Sequence, residues 1–501
     1  CNLYPDQFTY NLLMKVWAKS REKESSKRAE EILHMMETQF LAGDKNSEPD
    51  IISYTTVINA LARNGGKNAA KRAEDILYRM NSLSEKGQLA AKPDTMAWNT
   101  VLSVYSTGNM PRAGRKCEKL LMRMEHLCID NDSNAKPDTC TFNSVLNAYA
   151  NSCEEDATRK AEKLLKRMEK LYANGDKDLK PDITTYNTVL KVYANNANIE
   201  SMHNAEKLLR RLEENNEKHI HFIKPDTVSY NTVIAGWANS GMPLGARNAE
   251  NLLNRMSKYA LCGNKNAQPD TTTYNSVINA WSKTKADGSA QRAESYLQHM
   301  IDLHMAGMPN VRPDIFSFTS VMNAYSKSFE TNKARKANSI LHRLEFLHKS
   351  GDSTCEPNII AYGTVLNACA HTRGTRQERE EAFLIAVAVM RTVRNSSNVT
   401  PNHVIYGSFL KACVMLMTED DVRREPMIER VFRQCCKDGQ VSERIWTLVK
   451  DAASLDLYER LINFDTNTDN WVGSFEAIPR EWKSNVKENK RWQRNRRIKK
   501  A

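Results

Sequence analysis

A proline followed by aspartate or asparagine recurs in this chain at a constant interval of 44 residues. A fixed period of this length is typical of stacked repeats, in which each repeat buries its apolar face only against its neighbours. At 501 residues the chain is also too long for one compact core. The ten dipeptides are Pro5-Asp6, Pro49-Asp50, Pro93-Asp94, Pro137-Asp138, Pro181-Asp182, Pro225-Asp226, Pro269-Asp270, Pro313-Asp314, Pro357-Asn358 and Pro401-Asn402.

Each repeat carries an aromatic residue at position 4, where positions are counted from the residue after the dipeptide. Apolar residues recur at helical spacing from Tyr186 to Ala194, and a second helical pattern runs from Ala161 to Met168. Two antiparallel helices per repeat, and hence an all-α fold, are predicted. The Thr or Ser before the aromatic is the expected helix N-cap. The position-4 residues are Tyr10, Tyr54, Trp98, Phe142, Tyr186, Tyr230, Tyr274, Phe318, Tyr362 and Tyr406.

Three recurring motifs, Thr-Tyr-Asn-x-Val-Leu-x-x-Tyr, Ala-Glu-x-Leu-Leu-x-Arg-Met and Lys-Pro-Asp, resemble the pentatricopeptide repeat family. The resemblance implies a right-handed superhelical solenoid that binds single-stranded RNA with about one base per repeat. The repeats here are longer than that family's usual unit. The predicted divisions are the end of a preceding repeat (1–6), nine repeats (7–402), a degenerate capping repeat (403–446), a C-terminal helical cap (447–479) and a basic tail (480–501).

The resemblance also implies that position 5 of a repeat and its last residue together read one RNA base. An aspartate can only accept a hydrogen bond, which suits the ring N–H of uracil or guanine, whereas the amide of asparagine can donate to adenine or cytosine. Threonine at position 5 leaves more room for a purine than asparagine does. The implied pairs are Asn11 with Asp50, Thr55 with Asp94, Asn99 with Asp138, Asn143 with Asp182, Asn187 with Asp226, Asn231 with Asp270, Asn275 with Asp314, Thr319 with Asn358, and Gly363 with Asn402.

These pairs spell the RNA sequence UGUUUUUA from its 5′ end, with a ninth base left undefined by Gly363. Position 2 would stack against the bases by the same resemblance. Polar or small side chains at three of these positions, Cys140, Thr184 and Thr272, should stack less well than the apolar ones. The position-2 residues are Phe8, Ile52, Met96, Cys140, Thr184, Val228, Thr272, Phe316 and Ile360.

The recurring Asp, and a set of recurring arginines, can each be interpreted in two ways. The recurring Asp could simply cap the next helix. Base reading is favoured because position 5 varies among Asn, Thr and Gly, whereas its neighbour at position 4 is always aromatic. The arginines near the end of the second helical pattern are interpreted as a solvated face in preference to a phosphate track. They are Arg79, Arg123, Arg167, Arg211, Arg255 and Arg343.

No catalytic, cofactor or metal motif is recognised, so the chain is predicted not to be an enzyme. The eleven cysteines form no Cys-x-x-Cys pair. The segment 465–476 resembles a calcium loop, but Asn470 replaces the usual glycine, and a polar turn is expected. No apolar run is long enough for a membrane helix, so no membrane contact is predicted.

Most of the net charge of +12 is concentrated at the C-terminal end. Residues 480–501 contain ten Lys or Arg against two Glu, with Trp482 and Trp492 between them. This tail is either a solvated arm or a contact for RNA backbone, ribosomal RNA or another protein.

By family resemblance, the location is a mitochondrion or chloroplast, and the role is in RNA stability, processing or translation. Because Cys1 falls inside the repeat pattern, further residues with any targeting segment are expected before it. The alternative function is a protein-binding scaffold or a structural subunit of an organellar ribosome.

Overall fold

The computed structural model confirms the all-α repeat fold. It describes residues 5–462, 475 and 478–486, except 21, 23, 65, 109, 130–132, 153, 218–222, 243, 285 and 397. All regular secondary structure within these ranges is α-helix or 3-10 helix, and no strand occurs there. The right-handed superhelix and the divisions of the chain remain predictions.

The helices form two compact units, residues 1–240 with 258–268, and residues 241–257 with 269–501. The first unit contains α1 (Gln7–Lys19), α2 (Ser25–Leu41), α3 (Ile51–Asn64), α4 (Ala69–Glu85), α5 (Thr95–Thr107), α6 (Ala113–Ile129), α7 (Thr139–Ser152), α8 (Ala157–Ala173), α9 (Ile183–Asn196), α10 (Ile199–Glu217) and α11 (Thr227–Asn239). Helix α12 (Gly245–Leu261) contributes residues to both units.

The second unit contains α13 (Thr271–Lys283), α14 (Ser289–Met305), α15 (Ile315–Lys327), α16 (Lys333–Lys349), α17 (Ile359–Ala370), α18 (Arg376–Asn395), α19 (His403–Leu416), α20 (Arg424–Lys437), α21 (Glu443–Ala452) and α22 (Leu455–Ile462). Within each unit, the first helix of a repeat packs against its own second helix and against the first helix of the next repeat. All ten position-4 aromatics are buried between them. These rings and their neighbours form a continuous core along each unit.

The first helices of the repeats begin three residues earlier than expected. The N-cap is the Asp or Asn of the dipeptide, and the predicted Thr or Ser N-cap is wrong. Asp182 has an extended backbone (φ −114°, ψ 176°), and its carboxylate accepts a hydrogen bond from the backbone N–H of Thr185. The Thr185 hydroxyl accepts in return from the Asp182 backbone N–H at 3.1 Å. Thr185 therefore completes a capping box instead of starting the helix.

The second helices are tied to the next repeat by buried or half-buried glutamates. Glu37 accepts hydrogen bonds from the Tyr54 hydroxyl at 2.8 Å and from Arg79 Nε at 3.0 Å. Glu118 accepts from the Tyr149 hydroxyl at 2.7 Å and pairs with Lys160 Nζ at 2.8 Å. The arginines interpreted as a solvated face are thus partly engaged between repeats, since Arg167 also pairs with Glu125. This arrangement opposes their use as a phosphate track.

The described start of the predicted basic tail, residues 480–486, packs against the preceding helices. Trp482 is buried and packs edge-on against Phe432, with ring centroids 6.0 Å apart. Its backbone carbonyl accepts from the Val441 N–H at 2.8 Å. Trp482 is therefore neither part of a solvated arm nor exposed for contact with RNA, because its indole fills the core beside α20. The predicted boundary at residue 446 also falls inside α21.

Removing the Glu37 carboxylate should destabilise the first unit more than removing an exposed carboxylate on the same helix. The Glu37 side chain is 5% exposed, so Glu37→Ala leaves Tyr54 and Arg79 without their shared acceptor. We expect the free energy of unfolding to fall by about 2 to 3 kcal/mol. Glu31→Ala, which breaks an exposed pair with Arg28, should cost less than about 0.5 kcal/mol. Equal losses in urea titrations would contradict this role for Glu37.

Candidate nucleic-acid interface

In five of the implied base-reading pairs, the two side chains are hydrogen-bonded to each other. In each of the five, position 5 is asparagine and both residues lie in the same unit. Asn187 Nδ2 donates to Asp226 Oδ1 at 3.1 Å. The amide thereby joins one repeat to the cap of the next. The corresponding N–O distances are 3.3 Å for Asn11 and Asp50, 3.1 Å for Asn99 and Asp138, 3.3 Å for Asn143 and Asp182, and 3.1 Å for Asn275 and Asp314.

The helix cap decides which atom of the last residue is available to a ligand. Asp226 Oδ1 accepts from the Ser229 backbone N–H at 2.8 Å and also lies 2.9 Å from the Ser229 hydroxyl. Because Asn187 Nδ2 and the Ser229 backbone N–H both donate to Oδ1, Oδ2 is the oxygen that can accept from a ligand. One Nδ2 hydrogen of Asn187 remains to donate. The pair therefore offers a donor beside an acceptor.

An asparagine cap presents the opposite group. Asn358 Oδ1 accepts from the backbone N–H groups of Ile360 and Ala361, each at 3.0 Å. Asn402 Oδ1 does the same for Val404 and Ile405, also at 3.0 Å. Because the cap requires an acceptor, the oxygen of each amide is used there, and Nδ2 is available to donate. Capping and base reading are therefore compatible functions of one residue.

Threonine and glycine at position 5 present different surfaces. The Thr55 hydroxyl donates to the Ile51 carbonyl at 2.8 Å, and the Thr319 hydroxyl donates to the Ile315 carbonyl at 2.8 Å. Each hydroxyl thus bonds within its own helix, leaving a short and mainly apolar side chain. At Gly363, an added Cβ would lie 3.4 Å from Ile405 Cδ1.

The position-2 side chains lie one helical turn before position 5 and are all exposed. Phe8 is 73% exposed and Ile360 is 63% exposed, which is unusual for apolar side chains of this size. Positions 2 and 5 share a face because residues three apart are neighbours on a helix. The exposed residues are Phe8, Ile52, Met96, Cys140, Thr184, Val228, Thr272, Phe316 and Ile360.

The same helical stripe continues to basic residues at position 13, which the sequence analysis missed. In the second unit these are Lys283, Lys327 and His371, and His371 Nε2 lies 2.8 Å from Lys411 Nζ. Burial lowers the pKa of both Lys283 and Lys327, and the nearby Lys327 charge further lowers that of Lys283. Their spacing of 44 residues was the signal that could have revealed them. Such side chains can contact phosphate groups.

A family model described as the pentatricopeptide repeat domain matches residues 130–196 and 173–240. No curated protein matches the chain. The matched segments contain the Asp138, Asp182 and Asp226 caps, and the same cap and position-4 aromatic recur on both sides of them. Residues 130–240 therefore match the pentatricopeptide repeat family, and the repeated helical pairs elsewhere in the chain support the same family; its members are in general non-catalytic, typically organellar, helical-repeat RNA-binding proteins.

Neither a membrane-spanning helix nor a metal cluster is found among the described residues. No helix there combines the length and apolar character needed to cross a membrane. Nor does this part of the chain bring three or more His, Cys, Asp or Glu side chains together as metal ligands. The calcium-like segment 465–476 lies outside the described residues apart from Phe475.

Replacement of Asp226 should separate its capping role from its chemistry. Asp226→Ala removes the acceptor for the Ser229 N–H and should lower the free energy of unfolding by about 1 kcal/mol. Asp226→Asn should cost no more than about 0.5 kcal/mol, because asparagine caps nearly as well, as Asn358 does here. Urea unfolding of the two variants and the wild type tests this. An asparagine variant as unstable as the alanine variant would contradict the prediction.

Proposed function

We propose that this protein binds single-stranded RNA selectively, with about one base per repeat, and that its preferred target contains UGUUUUUA. We further propose that it acts in a mitochondrion or chloroplast, on the stability, processing or translation of its target. The observation that carries the proposal is the donor and acceptor pair formed by Asn187 and Asp226, repeated through the chain. A scaffold that binds only proteins would not need this pair beside exposed position-2 side chains.

The chemistry of uracil complements this pair. The Asn187 amide can donate to a uracil carbonyl oxygen, while Asp226 Oδ2 accepts from the uracil N3–H. A base held in this way would lie beside the exposed position-2 side chains, such as Val228, which can pack against its faces. We assign the first and the third to seventh bases to uracil on this basis.

The two threonine repeats explain the other assigned bases. Thr55 is shorter than asparagine and leaves room for guanine, whose N1–H can donate to Asp94. Thr319 leaves the same room, but Asn358 presents its Nδ2 donor, which matches adenine N1. The eighth base is therefore assigned to adenine.

Sequence-independent affinity is assigned to the basic residues. Lys283 and Lys327 at position 13 lie on the stripe that carries positions 2 and 5, where a bound strand would place its phosphates. The basic residues beyond Val486 lie outside the described residues. For them we propose a second contact to RNA backbone, with ribosomal RNA or another protein as the alternative partner.

A double substitution in the fifth repeat tests the proposed function. Asn187→Thr with Asp226→Asn should move the preference at the fifth base from U toward A, because the cap then presents a donor and the shorter threonine admits a purine. The measurement is competition between UGUUUUUA and UGUUAUUA. The wild type should prefer the first, and the variant the second, each by about 10- to 100-fold.

For the wild type, binding to single-stranded UGUUUUUA is compared with binding to single-stranded poly(A), single-stranded poly(C) and UGUUUUUA in a duplex. Weaker binding to all three supports base reading in a single strand. Equal binding to all of them would reject base reading and favour the scaffold function. A double variant that keeps the original preference would show that Asn187 and Asp226 do not read this base.

A further inference from the structure

Position 3 of each repeat varies together with position 5 of the repeat before it. Where position 5 is asparagine, the next position 3 is always Ser or Thr; where it is Thr or Gly, the next position 3 is Ala or Ile. The asparagine cases are Asn11 with Ser53, Asn99 with Thr141, Asn143 with Thr185, Asn187 with Ser229, Asn231 with Thr273 and Asn275 with Ser317. The others are Thr55 with Ala97, Thr319 with Ala361 and Gly363 with Ile405. Helix capping alone does not explain this, since Asp94 caps its helix in front of Ala97.

The structure supplies a physical reason. The Ser229 hydroxyl lies 2.6 Å from Asn187 Oδ1, and Ser229 is fully buried. The same contact occurs at 2.7 Å between Ser53 and Asn11, at 2.7 Å between Thr141 and Asn99, and at 2.6 Å between Ser317 and Asn275. The hydroxyl can donate its hydrogen to the amide oxygen, so that this oxygen faces the cap and Nδ2 faces the aspartate.

Without this donor, the amide orientation would be held only by Asp226. If the amide turned over, two acceptors, Asn187 Oδ1 and Asp226 Oδ1, would face each other, and the ligand would no longer meet a donor at that place. Threonine at position 5 needs no such support, because the Thr55 hydroxyl already bonds to Ile51. The following position 3 then needs no hydroxyl, and alanine occupies it in both threonine cases.

Two repeats show how closely these positions are coupled. At Gly363, where no side chain is present at position 5, Ile405 lies against the vacant place. At Asn143, Oδ1 is buried without a hydrogen-bond partner among the described residues, while the Thr185 hydroxyl lies 2.8 Å from Asp182 Oδ1. The position-3 side chain thus adjoins position 5 even where the bond to the amide oxygen is not made.

We propose that position 3 of the following repeat is a third specificity-determining position, whose hydroxyl orients the asparagine amide so that it donates to the base. These serines and threonines are positioning residues, because they act on the base through asparagine. The inference rests on the proposed function and adds to it a residue outside the implied two-residue code. It concerns the repeats assigned to uracil.

Ser229→Ala is the first test, with Ser229→Thr as its conservative partner. Competition between UGUUUUUA and UGUUCUUA measures the preference for U over C at the fifth base. Ser229→Ala should reduce this preference about 5- to 10-fold, whereas Ser229→Thr should retain it, because Thr141 makes the same contact with Asn99. The preference at the third base, read by Asn99, should be unchanged in both variants.

Loss of stability is controlled in two ways. Thr375→Ala removes a comparable capping box from α18, away from position 5 of any repeat, and should leave base preference unchanged. A second control builds the interaction where it is absent. Thr55→Asn creates the pair assigned to uracil with Asp94 but leaves Ala97, which has no hydroxyl, at the following position 3. Adding Ala97→Ser supplies that hydroxyl. The double variant should prefer U over C at the second base about 5- to 10-fold more strongly than Thr55→Asn alone. Equal preferences in these two variants would overturn the inference.

A measurement without RNA separates this inference from the proposed function. The side-chain amide resonance of Asn187, identified by its loss in Asn187→Thr, should exchange hydrogen several-fold faster in Ser229→Ala than in the wild type. An unchanged exchange rate would overturn the positioning role. If the wild type instead shows no base preference while the exchange rate rises, the proposed function fails and the positioning role stands.

Discussion

The hydrogen bond between a cap side chain and the third backbone N–H is the interaction on which each repeat depends. It starts the first helix directly after proline, as at Asp226 and Ser229. The starting point fixes the register of the helix, so that position 4 enters the core while positions 2 and 5 lie together on the face that we propose binds RNA. It also consumes one atom of the cap residue and leaves the other available. Because the cap requires an acceptor, Asp is left with a second acceptor and Asn with a donor on the side that we propose meets RNA.

The proposed base reading also depends on the contact between successive repeats, because Asn187 lies in the first helix of one repeat, and Asp226, the last residue of that repeat, caps the first helix of the next. The spacing between them is supported on the other helical layer by acidic residues such as Glu118, which holds Tyr149 and Lys160 of the following repeat. Burial and hydrogen bonding to a carboxylate raise the pKa of such tyrosines; for Tyr186, beside Glu169, it rises to about 12. These phenols therefore remain protonated donors near neutral pH, and the interfaces keep their hydrogen bonds.

The period and the helical spacing of apolar residues were sufficient to predict an all-α repeat fold, because both follow from local sequence and neighbour packing. The pairing of Asn187 with Asp226 was expected from family resemblance, and the geometry brings the two together. The helix start was misplaced because Asp and Thr are both good caps, and only backbone geometry distinguishes Asp182 as N-cap from Thr185 as its partner. The burial of Trp482 depends on contacts with distant residues such as Phe432, which a charge pattern does not encode. The role of position 3 required the distance between two side chains of different repeats.

Selection from a random pool of single-stranded RNA, followed by sequencing, tests the central claim most directly, namely that the capped pairs read successive bases. The account predicts enrichment of UGUUUUUA, with G at the second base and A at the eighth because Thr55 and Thr319 stand at position 5 in those repeats. It also predicts little preference at the ninth base, where Gly363 has no side chain. Enrichment of an unrelated motif, or of none at all, would contradict the account.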